Sequence, residues 1–251
     1  MIITAENYFS PEAQQEYMGA SQFKAFQECE FAALAEIRGE YVREKTTALL
    51  VGSYVDAHFE GTLDVFRAKN PEIFTRSGEL KSEYRQAEIL IARMERDEMF
   101  MRYMSGEKQV IMTGEIDGIP CKIKIDSYHP VKLIVDEKAM KDFEPVRVDG
   151  KGKLPFVEAW GYDIQGAIYR AVEGNNLPFV LAAGTKQKEP DIELIGIPPD
   201  VLDDCMNNVI LPNIHRYHDI KLGLVNPVRC EKCDYCRRTK VLTQVVDYRD
   251  L

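Results

Sequence analysis

"KIKIDSYHPVKLIVDEKAM", residues 122–140, decides how this chain is read. Two apolar-rich runs flank a turn at His129-Pro130, the pattern of adjacent antiparallel strands. Leu133, Ile134 and Val135 read as a buried strand that runs straight into Asp136, Glu137 and Lys138. Burying a charge costs several kcal/mol unless it is paired or binds a metal. Alternation along the strand predicts Asp136 and Lys138 on one face and Glu137 on the other. An antiparallel register about Pro130-Val131 sets Asp126 opposite Asp136. Like charges in that position destabilise a sheet unless something positive lies between them. Hard carboxylate oxygens suit Mg²⁺ or Mn²⁺. Lys138 could then orient or activate a water, or offset charge on a phosphate. Taken alone, the D-x-K tripeptide reads as a solvated strand end with an ordinary salt bridge; the second Asp in register and the apolar run before it bring the site reading level with that one.

Upstream, "QVIMTGEIDGIPCK" carries Asp117-Gly118, a strong hairpin signal. The middle of the chain is therefore expected to form three antiparallel strands in sequence. Before it, residues 1–105 read as mostly helix. "SPEAQQEYM" comes first, followed by "GASQFKAFQECEFAALAEIRGEY" with Ser21 as N-cap, a helix from about Thr46, and a charged helix "SEYRQAEILIARMERDEMFMRYM". After the strands come a charged loop with Gly150 and Gly152, the helix "FVEAWGYDIQGAIYRAVEG" and the strands "FVLAAGTK" and "IELIGIP". A long helix from Pro199 to "KLGL" and a cysteine-bearing tail complete the chain. In the helix after the loop, Trp160, Ile164, Ala167, Ile168 and Ala171 form an apolar face. Gln165 and Tyr169, four apart, share another side. The expected fold is α/β, a central mixed sheet flanked by helices, with a helical N-terminal region. With no linker signal, the chain reads as one domain over 1–251: helical to 105, a core over 106–200, then the last helix and tail.

The 251 residues carry a net charge of −9, which argues against a protein that coats nucleic acid electrostatically. It leaves open an enzyme that meets phosphate through a metal ion and a local basic strip. No run of apolar residues is long enough to span a membrane, and "MIITAENYFSPEAQQEYMGA" lacks a basic leader, so the expected compartment is the cytoplasm.

Asp126, Asp136-x-Lys138 and Gln165-x-x-x-Tyr169, in this order, resemble the PD-(D/E)xK nuclease superfamily. Within it, the RecB-type nuclease domains and the RecE-like and lambda-type phage exonucleases are most similar. The resemblance runs from about Ser21 to the C-terminus and includes "LLVGSYVDAHFEG" and "WGYDIQGAIYRAV". It implies a restriction-endonuclease-like core and metal-dependent hydrolysis of DNA phosphodiesters. Asp126, Asp136 and the backbone carbonyl of Glu137 would hold the metal, Lys138 would be the catalytic lysine, and Gln165 and Tyr169 would support or contact the DNA strand. RecB-like relatives place a histidine four residues after a glycine on an early helix. Here Gly52 is followed at that spacing by Asp56, and the histidine is His58. The two project about 200° apart on a helix, so they cannot both face one ion. Asp56 is chosen as the further ligand or water-holding carboxylate, with His58 as fallback. It shares a face with Gly52, whose missing side chain would let the helix approach the sheet.

The chain has six cysteines, three of them in "RCEKCDYC", Cys230, Cys233 and Cys236. In a cytosolic protein this clustering points to a metal or cluster rather than disulfides. C-x2-C-x2-C is how ferredoxin-type [4Fe–4S] clusters take three thiolates, with Zn²⁺ as the alternative. Cys121 and Cys205 read as core. The resemblance to four-cysteine RecB-like nucleases implies Cys29 as the fourth ligand, so that the site would join the two ends of the chain. Arg229, Lys232, Arg237, Arg238 and Lys240 form a basic strip around it.

The leading expectation is a phage- or prophage-type exonuclease that resects linear DNA ends. A single-strand-annealing recombinase and a homo-oligomer are its expected associations. A non-catalytic DNA-end or protein-binding module on the same fold, and a redox protein built on the cluster, are the competing classes.

Overall fold

The structure, a computed structural model, describes residues 1–250. Seven α-helices precede the first strand: α1 (Pro11–Glu16), α2 (Ala20–Glu28), α3 (Glu30–Ile37), α4 (Thr47–Phe59), α5 (Leu63–Lys69), α6 (Ser82–Glu95) and α7 (Glu98–Tyr103). Then come β1 (Glu107–Ile116), β2 (Ile119–His129), β3 (Leu133–Met140), β4 (Val146–Val148) and β5 (Gly152–Leu154). After α8 (Phe156–Ala159) and α9 (Tyr162–Glu173), the chain adds β6 (Phe179–Thr185) and β7 (Ile192–Ile197), then α10 (Pro199–Cys205), α11 (Leu211–Leu222) and α12 (Asp234–Arg238).

Five strands form one sheet in the order β1-β2-β3-β6-β7. The β3–β6 pair is parallel and the others are antiparallel. This is the mixed sheet expected from the hairpin signals followed by a helical crossover. The β2–β3 register pairs Ser127 with Val135 and Tyr128 with Ile134. Asp126 and Asp136 therefore fall just beyond the last pair, where the two strands part.

Each face of the sheet is covered. On one side Ile134, Phe179 and Leu181 pack with Phe23 and Phe26 of α2, Ile168 of α9 and Ile214 and Tyr217 of α11. On the other, Val135 and Ala182 pack with Tyr54 and Val55 of α4, Leu90 and Ile91 of α6 and Phe100 of α7. Alternation along β3 thus sends Asp136 and Lys138 toward α9, and Glu137 toward α4. No helix among the described residues is long and apolar enough to cross a membrane.

Several local expectations change. Ser21 does not cap a helix: α2 begins one residue earlier, behind Gly19, with no side-chain cap. The single helix expected there breaks at Cys29, whose extended backbone (φ −165°) separates α2 from α3. The helix after the charged loop breaks at Gly161, which sits at φ +62°. That break removes Trp160 from the apolar face, leaving it 53% exposed. The charged loop itself pairs as the short hairpin β4–β5.

Candidate active site

Asp126, Asp136, Lys138, Gln165 and Tyr169 line one cleft of about 780 Å³, together with Asp56. Three elements deliver them. β2 and β3 bring the carboxylates to the point where the strands diverge, and Asp126 stabilises the gap by accepting from the Glu137 backbone N–H (Oδ2, 2.9 Å). α9 lies close behind because Gly166 lets it: a Cβ there would meet Phe179 at 2.7 Å and Leu202 at 2.9 Å. α4 brings Asp56 from the opposite side.

Asp136 is buried, and its contacts are specific. Lys138 Nζ lies 2.5 Å from Oδ2 as an ion pair, and Gln165 Nε2 donates to Oδ1 at 2.6 Å. Lys138 Nζ also donates to the Glu137 carbonyl at 2.8 Å. Burial pushes the Asp136 carboxyl up to about 7, against the pull of Lys138 in the other direction. Burial disfavours the Lys138 ammonium, but Asp136, Asp126 and Asp56 outweigh it and hold the lysine firmly charged.

Glu137 points the other way. Only 1% exposed, its carboxyl is pushed well upward by burial and by neighbouring Asp56. Burial likewise raises Asp56. Both Glu137 carboxylate oxygens lack a hydrogen-bond donor, whereas Asp136 Oδ2 is held by the Lys138 ammonium. Buried carboxylate oxygens without donors, beside further carboxylates, are the donor chemistry a hard divalent cation takes. The buried carboxylates gathered at the parting of β2 and β3 are donors of the kind such an ion takes. Among the described residues, Asp56, Asp126 and Asp136 do not draw their carboxylate oxygens together as tightly as Cys29, Cys230, Cys233 and Cys236 draw their sulfurs.

His58 lies outside this constellation, pairing with Glu95 at 2.8 Å. The expectation for Gly52 is corrected: a Cβ there would meet nothing within 4 Å, so its missing side chain is not what brings α4 to the sheet. Gln165 and Tyr169 reach the cleft but are mostly buried, and their polar atoms serve the protein. The Tyr169 hydroxyl donates to the Lys124 carbonyl at 2.9 Å, pinning β2 two residues from Asp126.

Gln109 carries no motif that would mark it in the sequence. It lies on β1 between the Lys108–Ser127 and Val110–Ile125 pairs, opposite Asp126, to which its Nε2 donates at 3.3 Å. Its backbone sits at φ +54°, an unusual value for a side-chain-bearing residue inside a strand. Tyr162 and Lys24 are likewise found only by folding: Lys138 Nζ lies 5.8 Å from the Tyr162 ring centroid, and Lys24 lines the cleft.

The second constellation joins the chain ends. Cys29, Cys230, Cys233 and Cys236 bring their Sγ atoms within 4.8 Å of one another, while Cys121 and Cys205 are buried elsewhere in the core. Burial opposes ionisation of Cys230, but the backbone N–H groups of Cys233 and Lys232, 3.3 and 3.4 Å from its sulfur, bring it down to about 6. The basic strip is partly spent on structure. Arg229 pairs with Glu231 at 2.8 Å and lies over Phe31, and Arg238 lies over Tyr41 and Tyr235.

Residues 19–239 match the family described as a PDDEXK-like domain of unknown function (DUF3799). The fold matches a crystal structure of a protein from Eubacterium rectale described as "Putative exonuclease", with 49% sequence identity, a TM-score of 0.95, and coverage of 100% of this chain and 98% of that one. No curated protein matches the sequence. Sheet topology, the acidic–lysine cleft at the parting of β2 and β3, and a family match over most of the sequence agree: this chain belongs to the PDDEXK-like DUF3799 family, within the PD-(D/E)xK nucleases.

Proposed function

We propose that this protein, read as one nuclease domain over its whole length, is a metal-dependent deoxyribonuclease that removes nucleotides from the ends of linear DNA. Asp126, Asp136 and the Glu137 carbonyl would hold Mg²⁺ or Mn²⁺, with Asp56 holding a water of that ion. When bound, the ion supplies Lewis-acid polarisation of a phosphate and a water of lowered pKa. Asp126 is oriented by the Glu137 N–H and Gln109. Gln165 fixes the carboxylate plane of Asp136. Lys138 remains cationic beside Asp136 and offsets charge that builds on the phosphate oxygens. Lys45 and Lys69 line the same cleft and make no ion pair among the described residues, leaving their ammonium groups for the strand backbone.

The observation that carries this reading is the meeting of Asp126, Asp136 and Lys138 on one cleft, with the lysine 2.5 Å from Asp136. The description of the Eubacterium rectale relative supports the exonuclease form. Resemblance to recombination exonucleases supports a phage or prophage role, with the exposed single strand passing to an annealing recombinase.

The decisive test is digestion of end-labelled linear, nicked and circular DNA with Mn²⁺, alongside Asp136→Asn. Release of nucleotides from linear DNA only, abolished in the variant, is the expected result. Absence of cleavage under all conditions, or equal cleavage by the variant, overturns the proposal.

A further inference from the structure

Phe9 stands at the mouth of the cleft, 69% exposed. Single exposed apolar side chains are common on protein surfaces, but this ring is held in place. Tyr8 packs edge-on against it with centroids 4.9 Å apart. Tyr8 is itself clamped by Lys122, whose Nζ donates to the Tyr8 carbonyl and lies 4.7 Å from the Tyr8 ring centroid. Ser10 then starts α1 by capping the Ala13 N–H. On the cleft side, Lys124 Nζ is 5.8 Å from the Phe9 centroid. Lys24, Lys45 and Lys69 line the same cleft and make no ion pair among the described residues, while Lys124 pairs with Glu60 at 3.2 Å.

An aromatic face beside a row of ammonium groups is how proteins hold unpaired nucleic acid: bases stack while phosphates meet the cations. At about 780 Å³, the cleft is the size that encloses one small ligand. A nucleotide or two of an unpaired strand fills such a volume. Resting on the nuclease reading above, the geometry points to Phe9 as a stacking platform for the base of an unpaired nucleotide whose strand enters the carboxylate cleft. The strand that enters the cleft is thus unpaired at its terminus, as at a frayed duplex end or a single-stranded one.

The test is binding of a short single strand carrying 2-aminopurine at one end or the other, in Ca²⁺ buffer, by the full-length protein and its Phe9→Ala and Phe9→Trp variants. Wild type and Phe9→Trp should quench the probe at one end. Phe9→Ala should lose the quenching and bind on the order of tenfold more weakly. A strand with an abasic terminus should bind wild type and Phe9→Ala alike. Because the ring is exposed, Phe9→Ala should melt as wild type does, so the comparison stays interpretable. Equal quenching and affinity in wild type and Phe9→Ala, with DNA still cleaved, overturns the platform and leaves the nuclease standing. Failure of every variant to bind or cleave DNA overturns both.

The sulfur spacing carries an independent inference. Cys29 and Cys236 Sγ are 3.5 Å apart, Cys230 and Cys236 Sγ 3.9 Å, and all four lie within 4.8 Å. A tetrahedral Zn²⁺ with bonds of about 2.3 Å sets its sulfurs about 3.8 Å apart. A [4Fe–4S] cubane interposes four irons and four sulfides, and needs a wider thiolate frame. The four thiols do not fit the cluster that the resemblance implies. We infer that they take one tetrahedral ion, with Zn²⁺ the fitting choice. Protein purified anaerobically should be colourless, with about one zinc per chain and no acid-labile sulfide. Co²⁺ exchanged into it should give the visible bands of a tetrahedral tetrathiolate, lost in Cys230→Ser. Four irons and four sulfides per chain, with brown absorbance, would overturn the assignment. The metal count on wild type decides even where Cys230→Ser fails to fold.

Discussion

Gln109 lies across from Asp126, on the neighbouring strand, and donates its side-chain amide to the Asp126 carboxylate at 3.3 Å. It does so from a left-handed backbone at φ +54°. Non-glycine residues held there cost on the order of 1–3 kcal/mol, and such strain concentrates at functional sites. Gln109→Ala keeps the strain and loses the bond, whereas Gln109→Gly loses both. Both variants should bind Mn²⁺ several-fold more weakly in calorimetry. The glycine variant should be the more stable by about 1 kcal/mol in urea unfolding. An alanine variant as stable as the glycine one would remove strain from the account.

Activity should depend on pH through Asp136. Its carboxyl, raised by burial to about 7, must lose its proton before an ion can bind. Below pH 7 the proton competes, so the Mn²⁺ concentration for half-maximal activity should fall as pH rises from 6 to 8. A profile flat over that window at subsaturating Mn²⁺ would contradict the role given to this carboxylate.

Gln165 and Asp136 share a buried hydrogen bond of 2.6 Å. In Gln165→Leu that oxygen loses its donor, and leaving a buried acceptor unmet costs about 1–3 kcal/mol. Gln165→Glu places a second carboxyl against the first. Both should lower the melting temperature and cut activity by at least about tenfold, the glutamate variant more steeply at high pH, when both groups are charged. Steady-state kinetics across pH would check the ordering.

Lys221 supplies a stability signature away from the cleft. It is 3% exposed, and its Nζ donates to the Tyr17 carbonyl at 2.8 Å and to Gln22 Oε1 at 2.9 Å. Burial, with Lys122 adding to it, depresses the group to about 7, whereas in the unfolded chain it titrates near 10.4. Between those values the unfolded state binds the extra proton, so stability rises with pH across the window. The urea midpoint should therefore climb from pH 7 to 10, and Lys221→Met should flatten the climb. A wild-type midpoint unchanged over that range would argue that the ammonium stays charged in the fold.

The sequence by itself determined the central sheet and its two key strands. Apolar alternation, the Asp117-Gly118 hairpin and the His129-Pro130 turn fix a register, and a register with period two fixes which face each side chain takes. Asp126, Asp136 and Lys138 were legible for that reason, and the Cys230–Cys236 run was legible by spacing. Where α9 and α4 dock was not encoded in any local pattern. Gln165 reaches Asp136 because Gly166 fits beneath Phe179 and Leu202, a packing condition met only between distant segments. That Asp56 and His58 face different ways follows from helix periodicity, but which of them meets the cleft is set by how α4 docks. Gln109 depends on a cross-strand neighbour and an unusual backbone angle that its residue type does not signal. Cys29, at the break between α2 and α3, faces Cys236 across 207 residues of sequence, a meeting that no local pattern encodes. Periodicity is local and can be read along the chain; convergence of side chains from separate layers is set by how those layers pack.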